Sequence, residues 1–265
     1  MSGRGARWGL IAATVGTLVF IYFPLAVVIA YAFNSSGSTS WPPAGFSLRW
    51  VDAALANTGL RDAFVTSVAI AFGASAVALV LGSLAAVAVA RYRFFGRQAI
   101  SFVVVFPIAL PGIVTGMALS TTFATTGLPL GLLAIVIGHA TFCVVLVYNN
   151  VVARMRRVSR SLEEASSDLG ADTWQTFRRV TFPTVRSAML AGALLAFALS
   201  FDEVIVTFFT AGAQTTLPLF ILNSINRGAQ LPVVNVVAFA VIVLTAIPVW
   251  ISVRLTRDSG ILRRS

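Results

Sequence analysis

The chain of 265 residues contains no lysine, one histidine, one cysteine and few acidic residues. Each shortage removes a class of chemistry. Without lysine there is no GxxxxGK[ST] loop, so ATP, if it is used, binds to another chain. His139 has no Asp or Glu near it in sequence, and with Cys143 alone it builds no metal site. Its place inside an apolar run predicts a hydrogen-bonded residue of a helix bundle instead. Cys143 excludes an internal disulfide and reads as a packing residue. HExxH, CxxC and GxSxG are absent, and no nucleophile–base pair is visible. No catalytic residue is therefore expected, and no resident cofactor or metal.

What the chain has in abundance is apolar length. Its residues are 58% hydrophobic and 11% charged, with mean hydropathy +0.90, which excludes a water-soluble globular domain. Six runs, 9–33, 63–90, 99–125, 129–152, 187–211 and 232–253, reach the length of about 20 residues that a helix needs to cross a bilayer. The expected fold is an all-α polytopic membrane protein, one transmembrane domain over 1–265. Alternating ten-residue segments of a β-barrel do not occur. The first run is too long for a signal-peptide core and reads as the first span.

The arginines set the orientation. With the N-terminus inside, every arginine except Arg49, Arg61 and Arg227 falls on the inner side. The excess of positive charge on inner loops then places both termini and the 153–186 loop in the cytoplasm. The net charge of +10 is a topology signal and an attraction to anionic membrane lipids; no separate basic domain exists for nucleic acid.

Within this frame several stretches stand out. The outer loop 34–61 is turn-rich, then continues as LRWVDAALANTGLRD, which suits a short interfacial helix; Trp41 and Trp50 suit a membrane–water boundary. The second run is rich in Gly, Ala and Ser, the composition of close helix packing. FPIALPG in the third run predicts a kinked or partly unwound helix, either beside a pathway or as a packing kink. Asn149 and Asn150 are expected to hydrogen-bond between helices. In the fifth run, Asp202 and Glu203 place two carboxylates in an apolar helix, toward its outer side. Charge there is expensive and points to function. A structural pair, hydrogen-bonded at a subunit contact or near the helix end, is the other reading.

The one long polar stretch between oily runs is 161–183, SLEEASSDLGADTWQTFRRVTFP. Ser161 with Glu164, and Asp172 with Gln175, have the form of capping boxes. Gly170 between them suits a left-handed helix end, and Pro183 suits the start of the next element. The expectation is helix, glycine elbow, helix. Leu162, Ala165 and Leu169 share one face of the first, and Trp174 and Phe177 one face of the second. That apolar edge needs a partner.

At these residues the chain resembles the permease subunits of bacterial ABC importers. Their EAA loop runs EAA, three residues, G, nine residues, I, one residue, LP. Here Glu164, Ala165 and Ser166 precede Gly170, then Val180, Phe182 and Pro183, with Ser, Val and Phe as departures. LSFDE and TFFTAG between 199 and 212, and GHATF at 138–142, resemble the second permease component of spermidine/putrescine importers, where the acidic pair is usually Asp-Asp; Glu203 departs from that. The resemblance implies a type I importer permease in the bacterial inner membrane. Its partners would be a dimeric cytoplasmic ATPase holding ATP and Mg, a second homologous permease and an extracytoplasmic solute-binding protein. It makes Glu164, Ala165, Gly170, Trp174, Phe177 and Pro183 the coupling loop, and Asp202 and Glu203 candidates for the substrate pathway. Polyamines are the implied solute, since a carboxylate in a low-dielectric pathway attracts polycations. The alternatives are the same machine for another small solute, or a secondary transporter using Asp202 and Glu203. The latter should show matched broken helices, and no second FPIALPG is present.

Overall fold

The computed structural model describes residues 3–37, 41–228 and 231–261, and among them the secondary structure is helical apart from one isolated bridge between Asn34 and Phe46. The chain divides into two compact units, Met1–Arg61 with Ile221–Val243, and Asp62–Phe220 with Leu244–Ser265.

The first unit begins with α1 (Gly3–Ala32), an uninterrupted apolar helix with exposed Trp8, Phe20 and Phe23. The loop after it is folded on Asn34, whose side-chain oxygen accepts from the backbone N–H groups of Ser36 and Ala44. Trp50 Nε1 donates to the Asn34 carbonyl, 2.9 Å away. A short helix, α2 (Arg49–Ala56), follows where the sequence predicts one.

The second unit is built on α3 (Thr58–Arg91), α4 (Arg97–Val105), α5 (Gly112–Thr126) and α6 (Leu132–Arg156). After α6 come α7 (Ser161–Asp168), α8 (Thr173–Thr176), α9 (Phe182–Phe201), α10 (Ile205–Thr210) and α11 (Leu217–Asn226). The last helix is α12 (Leu231–Ile261). Among the described residues, five helices are long and apolar enough to cross a membrane, and α4 with α5 supplies a sixth span if the bent pair counts as one. The third and fifth apolar runs are broken, at 106–111 and at 202–204.

The third run breaks at FPIALPG. Pro107 sits in a tight 3-10 turn, Phe106–Ala109; Leu110 is extended, and Pro111 starts α5. The two halves are bent by 109°. A proline lacks the N–H that would continue the ladder and disfavours helical geometry in its predecessor. Phe106 before Pro107 stays helical, whereas Leu110 before Pro111 is extended, and the chain breaks there. Gly127, at φ +76°, then closes α5 in the left-handed region.

The core runs along α6, which packs against α9 and α3. Its centre is Val147. A Cβ added at Gly192 of α9 would lie 2.8 Å from Val147 Cα, and one at Gly82 of α3 would lie 2.9 Å from Val147 Cβ. Two glycines thus let two helix backbones close on one residue. Along α3 the small residues Ala71, Ala74, Ala78 and Ala86 are buried, while Phe72, Val80 and Leu84 point outward. The expected packing of the second run thus holds for one face only. In a bilayer the driving force is fit between backbones, so small side chains face inward and large ones are left for lipid. Asn149 and Asn150 depart from expectation: Asn149 is exposed, and Asn150 donates to the Leu146 carbonyl one turn back in its own helix.

Gly192→Leu or Gly82→Leu should force α9 or α3 away from α6 and cost roughly 1–3 kcal/mol. A thermal-unfolding series in detergent reads this as a lowered midpoint. Gly16→Ala, where an added Cβ meets nothing within 4 Å, should show no loss.

Candidate functional site

The polar loop folds as a helical hairpin. Helix α7 ends in a Schellman pair: Gly170 N–H bonds the Ser167 carbonyl and Ala171 N–H bonds the Ser166 carbonyl, 2.9 and 3.1 Å long. That geometry needs the left-handed φ of +83° found at Gly170. Asp172 then caps α8 in a complete capping box: its carboxylate accepts from Gln175 N–H at 2.8 Å, and its own N–H donates to Gln175 Oε1. The box expected at Ser161 does not form. Arg160 holds the cap position, and Ser159 Oγ accepts from Ser161 N–H, which leaves Ser161 inside the first turn.

The second helix does not end with the hairpin. It passes through a π-helical turn, Phe177–Thr181, into α9, so that Thr173–Phe201 is one continuous helix. Pro183 lies in the first turn of α9, directly after the π turn, and its missing N–H interrupts the helical ladder there. The wide turn absorbs the register change between the hairpin and the span.

The hairpin has an outer edge and an anchored flank. Leu162, Leu169 and Trp174 are 53%, 89% and 66% exposed, an apolar edge on a segment otherwise polar. Ala165 and Glu164 are exposed as well, and Trp174 stacks on half-buried Phe177 with ring centroids 5.7 Å apart. On the neighbouring flank, Glu163 Oε1 accepts from Arg91 Nε and from Thr181 Oγ1, both at 2.9 Å. Arg160 Nη2 donates to the Ala90 carbonyl at 3.0 Å. These bonds fix α7 to the end of α3 and to the π turn. Ser166 Oγ and Thr176 Oγ1 close the hairpin at 3.0 Å. Sequence reasoning singled out Glu164 and passed over Glu163; the signal was the 3.6-residue period, which sets Glu163 and Ser166 beside the apolar edge, turned toward the protein.

The acidic pair lies at a break in the fifth run. Helix α9 ends at Phe201, Asp202 is its C-terminal cap residue, and α10 resumes at Ile205. This corrects the expectation of two carboxylates on a continuous helix. The two acids also differ in employment. Glu203 Oε1 accepts from the N–H groups of Ile205 and Val206, at 2.8 and 3.0 Å, and so satisfies donors that the break would leave unpaired. Asp202 is exposed and makes no side-chain hydrogen bond among the described residues. Its carboxylate stands at the C-terminal, electronegative end of α9, where a cation is favoured.

His139 braces the break. Its Nδ1 lies 2.8 Å from Ser200 Oγ before the break, and its Nε2 lies 2.9 Å from Thr207 Oγ1 after it, all three buried. Thr207 gives its only proton to the Glu203 carbonyl. Nε2 therefore donates to Thr207 Oγ1, and both ring nitrogens are engaged. The broken third run adjoins the same place: a Cβ at Gly112 would lie 3.5 Å from Ile205 Cγ2, and one at Gly116 would lie 2.6 Å from the Phe209 ring. The two breaks, one before Gly112 and one after Phe201, thus meet side by side.

Comparison with known proteins agrees with this arrangement. Residues 78–259 match the family model described as "Binding-protein-dependent transport system inner membrane component". The chain is 35% identical over 249 residues to the putrescine transport system permease protein PotI of Escherichia coli (strain K12), covering 91% of this chain and 86% of that one. It is 33% identical over 260 residues to the spermidine/putrescine transport system permease protein PotC of the same organism, covering 97% and 96%. Among solved structures, a chain of a bacterial ABC transporter involved in the import of the acidic polysaccharide alginate superimposes with a TM-score of 0.72 at 18% identity, over 97% of this chain and 98% of that one. That last likeness concerns the fold. Membrane-length helices, a hairpin with an unpartnered apolar edge and a match over most of the chain converge: this multi-pass membrane protein belongs to the family of binding-protein-dependent transport system inner membrane components, the permease subunits of ABC importers.

Proposed function

We propose that the chain is the permease subunit of an ATP-driven importer of polyamines, spermidine or putrescine. Near full-length identity to two permeases named for those solutes carries the reading. The unpaired carboxylate of Asp202 supports it physically, because spermidine and putrescine are polycations at neutral pH and a low-dielectric wall strengthens their attraction to a fixed anion. Glu203 takes a different role, holding the first N–H groups of α10 and keeping the break open beside Asp202.

Both termini and the 153–186 loop face the cytoplasm in this reading, following the arginine bias. The apolar edge of Leu162, Leu169 and Trp174, with exposed Glu164, docks into a groove of a cytoplasmic ATPase dimer, which binds the ATP and Mg. A second, homologous permease completes the pathway, and an extracytoplasmic binding protein delivers the solute. The chain does no covalent chemistry. Closure of the ATPase pair moves the hairpin, and the bundle alternates between inward- and outward-facing states. The anchored flank determines what that movement reaches: Glu163 and Arg160 connect α7 to α3, while the π turn connects α8 to α9.

Labelled spermidine and putrescine uptake in cells tests the solute. Asp202→Asn should lower uptake about tenfold, the effect of losing about 1.4 kcal/mol of interaction with the passing cation. Glu203→Gln keeps an acceptor for Ile205 and Val206 and should remain near wild type. Unchanged uptake in Asp202→Asn would remove the carboxylate from the pathway.

Coupling is tested on the purified complex. Glu163→Gln removes a charged hydrogen bond worth roughly 1.5–3 kcal/mol and should leave ATP hydrolysis running while solute uptake per ATP falls. The exchanged pair Arg91→Glu with Glu163→Arg should recover part of the lost uptake. Equal losses of hydrolysis and uptake would mean that Glu163 only stabilises the fold.

A further inference from the structure

Where α3 and α6 end and α4 begins, the chain forms a cleft of about 190 Å³ lined by Arg91, Arg97, Arg156 and Arg160 over a floor that includes Val152 and Met155. At about 30 Å³ per water, the space holds roughly six waters, enough for a tetrahedral anion with part of its hydration. Guanidinium groups cannot shed their protons, so four of them around one cleft favour an anion there, although Arg156 and Arg160 are exposed and Arg91 and Arg97 are partly buried. One carboxylate, Glu163, meets Arg91 through Nε. Arg160 spends Nη2 on the carbonyls of Ala90 and Arg91. Among the described residues, Arg97 and Arg156 have no side-chain hydrogen-bond or ion-pair partner. Arg91 Nη2 is buried and also lacks an acceptor, although the Arg91 side chain is only 11% exposed. A buried charged donor without an acceptor is costly, and here it occurs where further positive charge already faces the same space.

We propose that this cleft binds a phosphate-bearing anion. Its oxygens would take up the unused donors of Arg91, Arg97 and Arg156, a match to the planar forks of guanidinium. The phosphate has two sources, the headgroup of an anionic phospholipid or free inorganic phosphate. Tyr92 and Phe95, beside the cleft, are 55% and 104% exposed, which suits a site at headgroup level. Because Arg91 and Arg160 also hold α7, an occupied cleft would stiffen the link between the hairpin and α3. The inference rests on the proposed function only for the side of the membrane on which the cleft lies, and its test requires no transport.

The full chain, purified with its partner subunits, is placed in nanodiscs of phosphatidylcholine with or without phosphatidylglycerol. Native mass spectrometry then reads retained phosphatidylglycerol, and thermal melting reads the effect of inorganic phosphate. Arg97→Gln with Arg156→Gln is compared with Arg178→Gln with Arg179→Gln, which removes equal charge from exposed positions outside the cleft. A loss of phosphatidylglycerol retention by about tenfold in the cleft variant alone, equivalent to about 1.4 kcal/mol, supports the lipid as the source. Stabilisation of the wild type, but not of the cleft variant, by inorganic phosphate in phosphatidylcholine supports the free anion. Identical behaviour of wild type and cleft variant toward both probes overturns the proposal, leaving these arginines a topological role. Should the double variant not fold, Arg97→Gln and Arg156→Gln are measured singly; if neither differs from wild type, the proposal is likewise overturned.

Discussion

The close approach of three helices at Val147 is the constraint on which the second unit depends. Gly82 and Gly192 press on this one residue from α3 and α9, and neither position has room for a Cβ. In a bilayer, burying apolar surface between helices yields little, because lipid tails solvate it equally well. Cohesion comes instead from backbone proximity and from the polar contacts it allows. Cys143 Sγ reaches the Ala196 carbonyl at 3.4 Å, Tyr148 reaches Ser101 Oγ at 2.8 Å, and Arg154 Nε reaches the Thr184 carbonyl at 3.0 Å. All three donors lie on α6 and grip its neighbours. With α6 thus fixed, His139 on the same helix has a firm base from which to hold Ser200 and Thr207.

That brace explains how two broken helices persist at membrane depth. Freed backbone groups there must find partners within the protein. At the fifth-run break, Glu203 satisfies two N–H groups with its side chain and one hydroxyl with its carbonyl. The adjoining third-run break uses Pro107 and Pro111, which have no N–H to satisfy. The two breaks solve one problem in different ways, by supplying an acceptor and by removing donors. Asp202 is left over from both solutions, which is why the cation reading falls on it rather than on its neighbour.

Much of this was legible in the sequence where chemistry is local. The apolar runs, the glycine elbow, the Asp172 cap and the FPIALPG break each depend on a few adjacent residues and emerged where those residues predicted. Contacts that join distant segments were not legible. Ser161 and Glu164 have the spacing of a capping box, but Ser159 reaches the Ser161 N–H and Arg160 is drawn to the end of α3. The fifth run reads as unbroken because its apolar residues continue past Glu203. The brace that holds the turn, His139, lies far away in sequence. Glu163 was hidden behind Glu164 for the same reason: its partner Arg91 lies on another helix.

The uninterrupted course of Thr173–Phe201 has a mechanical consequence. These 29 residues form a rod of about 42 Å at 1.5 Å per residue, with Trp174 near one end and Asp202 just beyond the other. A tilt of about 5° with one end held carries the far end by roughly 4 Å, more than the length of a hydrogen bond. Leverage of that size needs no relay of side-chain rearrangements between the two ends. The rod has a single place where its winding is looser, the π turn at Phe177–Thr181, and Glu163 grips it there through Thr181. Held there, the rod would turn a tilt of its short arm into a larger displacement at the long one.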